Sequence, residues 1–169
     1  MKAWFVFVSL CAIGLATHLL PHDMGVSTLG MLGMLGAAYL PRAWVALPVC
    51  LVVAVSDYLA GGYALQAMAI VYLAHIFASI GVVTVLRHVS AMTVAQAALV
   101  SAVIFYLISN LTPMVMGYYD NTLAGWVTCY VNGLPYLLKG VLANLIFGGA
   151  AFGIVTFVGR RYAHRIATS

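Results

Sequence analysis

Apolar and polar positions fall in blocks along this chain. Six apolar blocks cover residues 3–20, 26–40, 43–55, 64–86, 94–111 and 135–158, with short polar junctions between them. A helix needs about 20 apolar residues to cross the hydrocarbon core of a bilayer. The blocks therefore predict an all-α integral membrane bundle of six transmembrane helices, one domain over 1–169. Pro21 and Pro41 end the first two blocks, since proline breaks the backbone ladder of a helix. Gly30, Gly33 and Gly36 recur every third residue in the second block and leave a groove for close helix packing. Residues 114–134 are amphipathic and aromatic, which predicts an interfacial segment, with the sixth span starting near Pro135.

Charge then orients the bundle. Threading the six blocks through a membrane puts Lys2, Arg42, Arg87, Arg160, Arg161 and Arg165 beside alternate junctions. The positive-inside rule makes those junctions, and both termini, cytoplasmic. Asp23, Asp57 and Asp120 fall at the remaining junctions, on the outer face. Lys139 alone breaks the pattern; it either snorkels to headgroups or offers its charge to Asp57 or an anionic solute. Only 6% of the residues are charged, against about 25% in soluble domains, and none is Glu. No soluble domain of useful size is left over. The basic residues are too scattered for a nucleic-acid footprint and fit contact with lipid.

Candidate chemistry gathers in the outward half, where polar groups are costly unless they pair or line a cavity. His18, His22 and Asp23 form a His-x-x-x-His-Asp cluster, read either as headgroup contacts or as ligands for a metal or metal-containing cofactor. Asp57, beside Tyr58, either caps the next helix or receives a solute. His75, in mid-span, is either a hydrogen-bonded core imidazole or a solute contact. Asn110, Asn132 and Asn144 supply amides, and Tyr119, Trp126 and Tyr130 supply rings for an aromatic belt or a cavity roof. Cys11, Cys50 and Cys129 lack metal-ligand spacing. Hydrolase, phosphate-loop and dinucleotide motifs are missing, so an enzyme is not expected and energy for uphill transport must come from another subunit.

Several blocks resemble a family of uncharacterised bacterial membrane proteins: Pro21-His22, Ser27-Thr28-Leu29-Gly30, Gly36 through Pro41, Ser56-Asp57, and Thr122-Leu123-Ala124-Gly125 through Cys129-Tyr130 to Leu134-Pro135-Tyr136. That family is in turn similar to the substrate-binding S components of energy-coupling-factor (ECF) vitamin transporters. The resemblance implies a six-helix protein of the bacterial inner membrane that holds a vitamin-like or metal-containing nutrient, such as a cobalamin-like solute, near its outer face. It also implies a coupling subunit with ATPases as partner, approached through small residues on the first helix. Ala12 and Ala16 fit that Ala-x-x-x-Ala surface. Ala143-Asn144 departs from the family, whose members tend to carry Gly-Asp there. A structural or accessory subunit of a larger membrane complex is the alternative.

Overall fold

Local chemistry sets the ends of the helices. The computed structural model describes residues 3–20 and 25–167, with side chains described as far as Val158. Helix α1 is Ala3–His18 and α2 is Leu29–Tyr39; α2 stops just ahead of Pro41. A short 3-10 turn, Arg42–Trp44, leads to α3, Leu47–Leu59, which accepts Pro48 in its first turn, where no amide bond is lost. Gly61 and Gly62, at φ +84° and +71°, end α3. Their amides bond back to the carbonyls of Tyr58 and Asp57 at 3.3 and 2.8 Å, a Schellman stop. Helix α4 is Leu65–Val85 and α5 is Ala91–Ser109. Ser90 and Thr93 exchange reciprocal bonds in a capping box that starts α5.

The region after α5 departs from the sequence reading. A short helix α6, Leu111–Val115, is followed by a turn at Gly117, φ +73°, and α7 then runs unbroken over Leu123–Ala167. The Thr122 hydroxyl accepts the Gly125 amide at 3.1 Å and so caps it. The helix thus begins well before Pro135, which lies inside it. A mid-helix proline is tolerated where neighbouring helices hold the chain in place.

Among the described residues, four stretches are long and apolar enough to cross a membrane: Arg42–Leu59, Leu65–Val85, Ala91–Val115 and Leu123–Val158. Helices α1 and α2 are apolar but shorter. This all-helical architecture is that of a membrane protein. Helix α2 stands at its centre, in contact with α1, α3, α4, α5 and α7. Its glycines are filled by this chain's own helices. A methyl group at Gly33 would lie 2.7 Å from the Ser79 hydroxyl of α4, and one at Gly36 would lie 2.6 Å from the Val45 carbonyl. At Gly30 it would collide with the Asn144 amide of α7. Ala12 and Ala16, by contrast, are exposed on α1.

Candidate functional site

A cavity of about 240 Å³ opens where the end of α1, the start of α2 and the facing parts of α4, α5 and α7 meet. Its polar wall comprises His18, Ser27, His75, Ser101, Tyr106, Ser109, Asn110, Tyr136 and Asn144. Helical spacing explains the α5 contribution: Ser101, Phe105, Ser109 and, one residue on, Ala102, Tyr106, Asn110 repeat every four residues and share a face.

Each amide is held by a neighbour. Asn144, buried on α7, donates from Nδ2 to the Ala98 carbonyl of α5 at 3.2 Å, and its Oδ1 rests over Gly30 of α2. Asn110 donates to the Tyr106 carbonyl at 2.7 Å, and its Oδ1 rests over Gly133 of α7. Glycine notches thus let two polar side chains enter a crowded helix interface. The His75 ring lies against Phe105 with centroids 4.6 Å apart. Ser27 Oγ and His18 Nδ1 are 3.5 Å apart, at the limit of a hydrogen bond, and the Thr17 and Thr28 hydroxyls are joined at 2.8 Å. Two tyrosines lock α5 to α7 beside the cavity. Tyr106 donates to the Tyr130 carbonyl at 2.6 Å, and Tyr130 donates to the Leu107 carbonyl at 2.7 Å.

Of the residues singled out in the sequence, His18, His75, Asn110 and Asn144 line this cavity, as does the packing glycine Gly30. Others at similar depth have different surroundings. Asp57 interacts with Tyr72 and Tyr63, and its Oδ2 has no hydrogen-bond partner among the described residues. Tyr58 is 85% exposed and lies outside the cavity wall. Trp126 stacks on Tyr130 and donates to Asn121 Oδ1 at 3.0 Å. Asn132 donates to the Tyr119 hydroxyl at 3.2 Å. Lys139 is exposed, with its Cβ 3.4 Å from where a side chain at Gly25 would begin. The convergence of Asp57, Asn110, Tyr130 and Lys139 on one void therefore reduces to Asn110 among the lining residues. The direction in which each side chain leaves its helix was not readable from the sequence.

Ser27, Ser101, Phe105, Tyr106 and Ser109 were not foreseen; the four-residue polar repeat of α5 was the available signal. His22 and Asp23 lie outside the described residues, so the metal reading of His18 with His22 stays an expectation. Among the described residues no group of three or more His, Cys, Asp or Glu is gathered.

A family model matches residues 1–166, and its description is a family of unknown function, DUF6580. No curated protein and no solved structure matches the chain.

Proposed function

The chain belongs to the family of unknown function DUF6580, and we propose that it is a membrane-embedded solute-binding protein of S-component type, serving uptake of a small vitamin-like nutrient. The cavity carries this reading. Unsatisfied polar groups in lipid cost several kcal/mol each, yet imidazole, amide and hydroxyl groups from five helical segments or their ends face one void. Apolar packing would fill that space at less cost. A solute with matching donors and acceptors gives the arrangement a use.

The wall also narrows the solute class. Among the described lining residues there is no Asp, Glu, Lys or Arg, and these residues suit a neutral surface on the solute. Phe105, Tyr106, Tyr136 and His75 offer ring faces, while Asn110, Asn144 and the serines offer hydrogen-bonding edges. That combination suits a flat heteroaromatic molecule. The volume of about 240 Å³ lies just under the ~300–1,000 Å³ of pockets for drug-sized ligands. A cobalamin-like solute exceeds it and would have to rest above the cavity.

In this reading six spans put both termini and the arginine-bearing junctions in the cytoplasm, and the cavity faces outward. The chain carries no recognisable nucleotide motif, so a coupling subunit with ATPases would supply the energy for uphill movement. The accessory-subunit alternative draws on one observation, the exposed Ala12 and Ala16 face of α1.

Native mass spectrometry of the protein purified from its membrane tests the proposal. A co-purifying small molecule should be present in the wild type and depleted in Asn110→Ala and Asn144→Ala. Absence of any bound molecule, with no thermal shift across a panel of neutral vitamins, would leave the accessory reading in its place.

A further inference from the structure

The opposite end of the molecule carries a second, basic pocket. It has a volume of about 330 Å³ and is lined by Arg42, Ile80, Val83, Thr84 and Arg87. The two arginines arrive from different segments: Arg42 opens the 3-10 turn after α2, and Arg87 follows the end of α4. Both are exposed, so packing does not account for their position. Among the described residues, no carboxylate lines it. The chain has three acidic residues; of the two that are described, Asp57 lies in the last turn of α3 and Asp120 beyond the far end of α5. At about 1.5 Å per residue those helices set the carboxylates roughly 15 Å or more away, past a Debye length of about 8 Å. Like charges brought to one pocket without a carboxylate call for an anion.

The surroundings indicate which anion. Trp44, two residues from Arg42, forms a ring cluster with Trp4 and Phe7, with centroids 5.5 to 6.5 Å apart. Tryptophan collects at the headgroup level of a bilayer, which puts the arginines at phosphate depth. One to two turns further into α4, Ile80 is 50% exposed and offers an apolar surface beside the pocket. The Thr84 hydroxyl donates to the Gly81 carbonyl at 2.7 Å, so it presents lone pairs and the arginines are the donors.

We propose that Arg42 and Arg87 bind the phosphate of an anionic phospholipid, with Ile80 and Val83 against its glycerol and upper acyl carbons. A guanidinium group matches phosphate oxygens with two parallel bonds, and two such groups can grip one phosphate from both sides. A basic side chain at an anionic membrane surface contributes about a fivefold gain in lipid retention. This site is independent of the solute cavity.

The test is native mass spectrometry of the full chain titrated with phosphatidylglycerol and phosphatidylcholine. The wild type should prefer phosphatidylglycerol, and R42Q and R87Q should each lose about fivefold of that retention. K139Q, which removes one positive charge elsewhere, should keep it. Equal retention of the two lipids, an equal loss in K139Q, or unchanged retention in both arginine variants overturns the proposal. Displacement of the lipid by millimolar inorganic phosphate would also overturn it, assigning the pocket to the free ion. If a glutamine variant fails to fold, R42K/R87K decides: a lysine pair keeps the charge but loses the planar fork, so retention should fall. Wild-type retention in that variant would refute the guanidinium pairing.

Discussion

Replacing Gly30 with alanine should destabilise this protein, and removing Asn144 should reverse the sign of that effect. The added methyl group would overlap Asn144 Oδ1, with the amide carbon 2.6 Å and Nδ2 2.7 Å away. Asn144 is 6% exposed and tied to the Ala98 carbonyl, so it has nowhere to swing without giving up that bond. Overpacking of this kind costs about 1–3 kcal/mol. The interhelical hydrogen bond is worth about 0.6 kcal/mol in a membrane, and at most about 1.7. Alanine returns about 0.5–1 kcal/mol over glycine through backbone entropy. The net loss expected for Gly30→Ala is therefore about 1–4 kcal/mol. In an Asn144→Ala background the collision is gone and the backbone gain alone remains, so the same substitution should be neutral or stabilising. Equilibrium unfolding of the four proteins in mixed micelles, followed by far-ultraviolet circular dichroism, measures the cycle. Additivity within about 0.5 kcal/mol would refute the notch, because independent sites behave that way. So would a neutral Gly30→Ala in the otherwise unchanged protein.

Gly36→Ala should be more costly than Gly149→Ala in the same titration, because the Val45 carbonyl 2.6 Å from the new methyl group is backbone and cannot rotate away. Nothing lies within 4 Å of a methyl group at Gly149, so Gly149→Ala should be neutral or gain up to about 1 kcal/mol. Tyr106→Phe keeps the ring but removes the bond to the Tyr130 carbonyl, and its unfolding midpoint should report a loss of about 0.5–1.5 kcal/mol. In a background without native cysteines, a cysteine at Asp120 should react with an impermeant maleimide on intact cells and one at Arg161 should not. Modification at position 161 in sealed cells would refute the proposed topology.

Helix content was legible because the apolar blocks and their stops are local. Pro41 and the Gly61-Gly62 pair punctuate the chain where their backbone demands it. Pro135 does not mark where the helix starts: Thr122 caps the helix and Pro135 sits within it. The site was harder to read. The sequence threading gives Asp57, Asn110, Tyr130 and Lys139 one depth, yet facing into a cavity is a matter of rotation about each helix axis. In a soluble helix an apolar stripe reveals that rotation; here apolar residues surround the helices on every side and erase it. His75 and Asn144 were found because a polar group deep in a span must face inward. The serines of α5 are small enough to look like packing, so they passed unnoticed.

Helix α7 has one weak joint. A proline lacks the amide that would bond the carbonyl four residues earlier, so the ladder is interrupted where Pro135 meets Val131. Residues 123–134 precede the joint and carry Trp126 and Tyr130, while Tyr136 and Asn144 in the cavity wall follow it. The arm before the joint is latched to α5 by the paired tyrosine bonds, and the mast after it is pinned by Asn144. Pro135 thus sets one interrupted backbone rung between a segment of α7 held by tyrosines and a segment held by an amide.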